Sequence, residues 1–311
     1  MLDFKHVLNT PGADIQYFEG SSTVTLTQWQ VWKKPRGAKF VYMIGVGGGG
    51  GGSCGNAAAV TTGGGGAGGS SGGQSTVMIP AMFVPDTLYI EAGAGGAGAT
   101  TSAGFGVVGQ PTYVCISPYT TIAPAGTFLL ANGGTVSATA PTTSNGGLAP
   151  GAVAAATIVG MCLAGRGFFT QVAGQVGGAG GAANASGPTV NLPTTGLMVT
   201  GGSGGGGVGS GNGGTIFFSG SLGGDFLPIL SGGTFGGGSP TPGNAGFIAR
   251  NFLMNYGGTG GAAGGSGQQG TAGGAGAPGS GGGGGGGASN SFPTIAPAGR
   301  GGPGFVYIIT T

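Results

Sequence analysis

Gly258-Thr259-Gly260-Gly261-Ala262-Ala263-Gly264-Gly265-Ser266-Gly267-Gln268-Gln269-Gly270-Thr271-Ala272-Gly273-Gly274-Ala275-Gly276-Ala277-Pro278-Gly279-Ser280-Gly281-Gly282-Gly283-Gly284-Gly285 is the stretch whose reading decides the fold. Counted in threes, it carries glycine at every step: Gly258, Gly261, Gly264, Gly267, Gly270, Gly273, Gly276, Gly279, Gly282 and Gly285. A period of three belongs to an extended helix with three residues per turn, so these glycines form one bare edge along which another backbone can approach. Collagen shares the period, but it needs abundant proline in the other two positions, and here only Pro278 supplies one. The remaining possibility is a bundle of polyglycine-II helices. Such a helix has no internal hydrogen bonds, so its N–H and C=O groups must pair with neighbouring segments. The shorter tract at 201–214 keeps the same phase at Gly201, Gly204, Gly207 and Gly213, with Ser210 as its one substitution.

Outward from this stretch, glycine dominates the chain: 85 of 311 residues, in tracts at about 45–73, 93–109, 174–187, 201–214 and 257–287. Apolar residues make up 39% of the chain, enough for a real core. Between the tracts lie short β-branched and aromatic runs at 76–79, 87–90, 112–116, 127–130, 197–200, 215–218 and 305–309, which read as strands. Alternation at 22–27 and 40–44 predicts two more, joined by a turn at 33–37. Asn132-Gly133-Gly134, after Phe128-Leu129-Leu130, is a hairpin signal. Only 152–163 has helical character. The expected fold is therefore all-β with polyglycine-II helices, in which short strands pack on a glycine-helix bundle with little α-helix. An N-terminal arm at 1–36 concentrates charge and both tryptophans, and 37–311 forms the glycine-rich body. Thr121-Ile122-Ala123-Pro124-Ala125-Gly126 recurs as Thr294-Ile295-Ala296-Pro297-Ala298-Gly299, a Pro-Ala-Gly turn ahead of an apolar run.

The inventory of reactive groups argues against an enzyme. One histidine, His6, and six acids, Asp3, Asp14, Glu19, Asp86, Glu91 and Asp225, supply few pairs for acid–base or nucleophilic work. Cys54, Cys115 and Cys162 are far apart and form no C-x-x-C pair, so neither a metal site nor a cofactor is expected, and Cys115 and Cys162 read as reduced, buried small hydrophobes. A net charge of +2 is too small to attract nucleic acid over a whole surface. The cluster Lys33, Lys34, Arg36 and Lys39 reads as a solvated face or a subunit contact. No positively charged, apolar, cleavable leader precedes Asp3, and Pro150 and Gly160 interrupt the charge-free run at 147–165, so neither export by signal peptide nor a membrane span is expected. The G-x-G-x-x-G at Gly45-Val46-Gly47-Gly48-Gly49-Gly50 lacks both a following helix and an acid at the ribose-binding distance, so dinucleotide binding is not inferred from it.

Trp32-Lys33-Lys34-Pro35-Arg36-Gly37-Ala38-Lys39-Phe40-Val41-Tyr42, running into a glycine tract, resembles the opening of the glycine-rich domain of tail and other virion proteins of tailed bacteriophages. Three further blocks follow in order: Thr87-Leu88-Tyr89-Ile90-Glu91-Ala92-Gly93-Ala94-Gly95-Gly96-Ala97-Gly98, then Leu129-Leu130-Ala131-Asn132-Gly133-Gly134, and Gly301-Gly302-Pro303-Gly304-Phe305-Val306-Tyr307-Ile308-Ile309. The resemblance spans about 24–311. It implies a non-enzymatic virion protein, assembled in the host cytoplasm, and in some relatives a receptor-binding tip whose polyglycine-II core presents variable loops. Partners expected on that basis are other virion proteins, a host surface receptor and further copies of the chain, a trimer among the assemblies. Aromatics between tracts, Tyr113, Tyr119, Phe168, Phe169, Phe217, Phe218, Phe235 and Tyr256, are the receptor-binding candidates, and Trp29, Trp32, Lys33, Lys34 and Arg36 the assembly candidates. The chain begins with a short arm and no coiled-coil stalk, which leaves room for a capsid-decoration or head-fibre protein. From another class, a polyglycine-II ice-binding protein would present a rank of similar small side chains; Thr259, Ala262, Ala263, Ser266, Gln268, Gln269, Thr271 and Pro278 form no such rank.

Overall fold

The computed structural model describes residues 13–21, 29–58, 63–118, 126–142, 168–182, 185–187, 190, 199–206, 235–236, 239–240, 248–249, 254–264, 269–289 and 297–311. Its strands are β1 (Asp14–Glu19), β2 (Gln30–Lys33), β3 (Phe40–Val46), β4 (Ala57–Ala58), β5 (Gln74–Pro80), β6 (Thr87–Glu91), β7 (Thr112–Cys115), β8 (Thr127–Ala131), β9 (Phe168–Val172), β10 (Phe235–Gly236), β11 (Ser239–Pro240), β12 (Ile248–Ala249), β13 (Met254–Asn255), β14 (Ala288–Ser289) and β15 (Phe305–Thr310). Among the described residues the chain is all-β, the one helical turn being the 3-10 segment Ala81–Phe83.

Two antiparallel sheets carry the architecture. One has the order β1-β15-β3-β5-β9, the other β2-β6-β7-β8. Alternation along each strand sends every second side chain to the space between them. Phe18, Val41, Met43, Val77, Ile79, Val306 and Ile308 come from the first sheet, and Trp32, Leu88, Ile90, Val114, Phe128 and Leu129 from the second; together they form one core. Full burial of each such aliphatic side chain contributes about 1.5–3 kcal/mol. At Gly45 of β3 a Cβ would press on Leu129 Cδ2 of the facing sheet, so a side chain there requires Leu129 to shift.

Glycine-rich segments continue the strands at one end of this sandwich. β3 runs on into 47–54, β6 into 92–99, β8 into 132–135 and β9 into 173–181, while 65–73, 104–111 and 299–304 lead into β5, β7 and β15. All seven therefore lie on the same side. Their backbones are paired in steps of three. N–H groups of Gly47, Gly50 and Ser53 donate to Gly73, Ser70 and Ala67; those of Gly48, Gly51 and Cys54 to Gln110, Val107 and Gly104; those of Gly49 and Gly52 to Gly302 and Gly299. The carbonyls accept from three further segments: Gly49 and Gly52 from Gly96 and Ala99, Gly50 and Ser53 from Gly282 and Gly285, and Gly48 from Gly134. Segment 47–54 is thus enclosed by six neighbours. Segment 281–287 is enclosed likewise, by 47–54, 66–72, 200–206, 258–264, 271–276 and 299–302.

Close approach, not left-handed torsion, is what demands glycine here. The described glycines with positive φ are only Gly37, Gly126 and Gly279. A Cβ on any of Gly47 to Gly52 would meet a neighbouring segment's carbonyl: Asn132, Ala94, Ser280, Thr135, Ala97 and Gly283 in turn. The stretch 258–285 does not run as one rod. Ala262 O and Thr259 O accept from Thr271 and Gly274, so 256–264 and 271–277 are antiparallel and the chain reverses between them. A second reversal is a type II turn, with Pro278 at its second position, Gly279 (φ 77) at its third, and Ser280 N–H donating to Ala277 O at 2.9 Å.

Several expectations change. β1 and β2 are members of the two sheets and Trp32 is fully buried, so within the expected N-terminal arm 14–19 and 30–33 pair in the sandwich. β2 (30–33), which the sequence did not mark as a strand, pairs with β6, and the connection at 34–37 leads from it to β3 in the other sheet. Asn132-Gly133-Gly134 makes no hairpin, since Gly134 donates to Gly48 and accepts from Gly109 as part of the bundle. The expected strands at 22–27 and 215–218 and the helical stretch at 152–163 lie outside the described residues, as do 197 and 198 of the expected strand at 197–200.

Candidate functional site

The architecture gives the molecule two ends of different chemistry. Beyond the bundle, remote from the sandwich, lie the reversals between segments, including 100–103, where Thr100, Thr101 and Ser102 are exposed. The side of the bundle adds exposed apolar groups on 104–110: Phe105, Val107 and Val108. This end is nearly free of charge among the described residues.

The opposite end of the sandwich carries the charge. There the 34–39 connection meets the 81–86 loop, and β3 ends on the C-terminal residue: Lys39 and Phe40 N–H groups donate to Thr311 O, and Ala81 N–H to Lys39 O at 2.8 Å. The Lys34 ammonium donates to Val84 O (2.7 Å) and Ala81 O (3.3 Å) and pairs with Asp86 Oδ1 at 3.0 Å. Lys33, Arg36 and Lys39 are exposed and make no ion pair among the described residues. Beside them stand Met82, 81% exposed, Phe40, 42% exposed, and Phe83, 37% exposed. Composition missed these apolar groups. A signal existed, since Pro80-Ala81-Met82-Phe83-Val84-Pro85 places an apolar run between two prolines that disfavour regular pairing.

The sequence-derived aromatics divide. Tyr113 is half-buried on β7 opposite Glu91 and Leu130; burial raises its phenol, and the Glu91 charge raises it further. Glu91 itself is pushed up by burial. Phe169, on β9, packs partly against the sandwich core. Tyr256 is 1% exposed, so its ring is a packing group with no surface to offer a receptor. Phe168 and Phe235 lie in β9 and β10, and Tyr119, Phe217 and Phe218 lie outside the described residues. Of the assembly candidates, Trp32 belongs to the core, Trp29 is half-buried just before β2, and Lys33, Lys34 and Arg36 converge on the charged end.

Among the described residues no three His, Cys, Asp or Glu side chains come together as a metal would require, and no helix is long and apolar enough to cross a membrane. Cys54 and Cys115 are both buried and unbridged; Cys54 Sγ donates to Ala99 O at 2.9 Å, and burial pushes its thiol up. No protein-family model and no curated protein matches the chain.

Proposed function

We propose that the chain is a non-enzymatic structural protein of a tailed-bacteriophage virion, in the first place a tail-fibre or tip protein that binds the host surface. Its glycine segments act as polyglycine-II helices, a stiff spacer between a fixing end and a presenting end. The observation that carries this reading is the continuity of strand and glycine segment: seven strands of the sandwich adjoin the bundle on one side, so the reversals at its far end are displayed at a set distance from the sandwich. Support for the helix type is the step of three, in which successive N–H groups turn to three different neighbours and every third returns to the same one. A hexagonal arrangement satisfies the buried backbone without a sheet edge, which suits display on an outer surface.

Gold labelling of a C-terminal tag on purified particles tests the proposal. Label at the tail end agrees with the fibre or tip role, and the purified protein should then compete with particles for adsorption to host cells. Label distributed over the head assigns it to capsid decoration or a head fibre. Particles without label overturn the virion reading. Thermal hysteresis in the purified protein would instead support ice binding.

A further inference from the structure

We propose that the charged end of the sandwich, where Arg36, Lys39, Phe40, Met82 and Phe83 lie, is a preformed docking surface for an acidic protein segment that carries apolar side chains. The inference rests on the virion reading only for the partner's place in a particle; the surface itself is argued from its geometry. Phe40 pairs in register with Pro80, and Ala81 N–H donates to Lys39 O, so Lys39 and Phe40 adjoin the 81–83 turn. Lys34 is spent on holding it. Its ammonium bonds two carbonyls of the 81–84 turn and the Asp86 carboxylate, its backbone N–H donates to Asp86 O at 2.9 Å, and Val84 N–H closes the turn on Ala81 O at 3.1 Å.

A lysine buried to 21% exposure that fixes a turn whose next side chain is 81% exposed is an arrangement that stabilises display. A loop held in its binding conformation loses less freedom on association. Methionine and phenylalanine with neighbouring arginine are the residue types that dominate interface contacts. Charge then selects the occupant. Arg36 and Lys39, exposed and without an ion pair among the described residues, stand on the connection next to the apolar group, so Asp or Glu flanking an apolar anchor meets both features, whereas a basic segment meets only one. The protruding apolar centre disfavours nucleic acid, and two cations are few for stable attachment to a membrane surface.

The test is to pan a random displayed-peptide library against the immobilised full-length chain and to measure the enriched peptides by fluorescence anisotropy. Enriched peptides should combine Asp or Glu with Trp, Phe or Leu, weaken as salt rises, and bind Met82→Asp and the double variant Arg36→Glu, Lys39→Glu about tenfold or more weakly. Both variants are surface changes, and circular dichroism and melting temperature identify any that misfold; Met82→Ser serves as a second apolar deletion. Peptides without net negative charge, or peptides that bind both variants like the parent, overturn the proposal. So does preferential binding to phosphatidylserine vesicles, or a dimer in sedimentation equilibrium that Met82→Asp abolishes. The two readings fail separately: absence from particles removes the virion role with peptide binding intact, whereas normal labelling of particles by the Met82→Asp variant removes the docking surface alone.

Discussion

A methyl group at Gly49 would occupy the place of the Ser280 carbonyl oxygen, and one at Gly273 the place of the Gly283 carbonyl. Neither neighbour is a flexible side chain that could swing away. Both are backbone held by further hydrogen bonds, so Gly49→Ala and Gly273→Ala should each destabilise by about 1–3 kcal/mol or more, with Gly273→Val worse. Gly37 is the contrasting case: nothing lies within 4 Å of its would-be Cβ, but its φ of 83° is left-handed, so Gly37→Ala carries only torsional strain of about 1 kcal/mol. Urea midpoints of the three alanine variants check this, and equal shifts would refute a close-approach role. Glu91 gives a pH-dependent expectation. Burial raises its folded pKa, so the folded state holds the proton more tightly than the unfolded one. Its stabilising contribution is present below the unfolded value of about 4.3 and is lost as pH rises through the raised folded value. Glu91→Gln should therefore raise the melting temperature at pH 7 relative to the parent, and the gain should vanish below about pH 4.

At the scale of elements, the seam between strand and glycine segment depends on hydroxyl groups that reach where backbones do not. Thr112, fully buried at the start of β7, accepts from Gly93 N–H at 2.9 Å and donates to Val46 O at 2.8 Å, so it ties the second sheet to the first where both pass into the bundle. Thr112→Val keeps the shape and removes both bonds; a loss of about 1–3 kcal/mol and faster amide exchange at Gly93 are expected. Unchanged exchange there would show the bond to be dispensable. The strands legible in the sequence were those with apolar alternation between glycine or proline boundaries, β3, β5, β6, β7, β8 and β15, which lie mostly inside the sheets. The three unread strands of the two main sheets are edges: β1 and β9 flank the larger sheet and β2 flanks the smaller. Asp14-Ile15-Gln16-Tyr17-Phe18-Glu19 mixes polar groups into its run because one side of an edge strand has no ladder partner and faces outward. The glycine tracts were legible as segments but not their neighbour map, since off-phase Gly260, Gly281 and Gly284 approach neighbouring carbonyls as closely as Gly258, Gly261 and Gly273 do, and bare backbone cannot encode which segment meets which. The charged end was legible only by half. Lys33, Lys34 and Arg36 stood out, whereas their meeting with Met82 and Phe83 depends on a long-range contact made by one lysine.

The whole molecule is built so that neither part closes without the other. Segment 47–54 continues β3, yet its six neighbours come from regions as distant as 96–99, 282–285 and 299–302. Ordering glycine backbone costs more conformational entropy than ordering any other residue, so an incomplete set of neighbours leaves that cost without its offsetting hydrogen bonds. The sandwich has the converse dependence: β15, between β1 and β3, is reached only through 299–304, which the bundle holds in place. A single cooperative unfolding transition follows from this arrangement. Trp32, buried between the sheets, reports the sandwich by fluorescence, and amide protection at Gly49 to Gly52 reports the bundle. In urea the two should share one midpoint, and removal of 257–287 should abolish both, because 281–287 lies against 47–54, 66–72 and 299–302 at once. A truncated chain that keeps Trp32 buried, or a bundle that loses amide protection at lower urea than the sandwich, would show instead that the sheets fold first and the glycine segments merely dock on them.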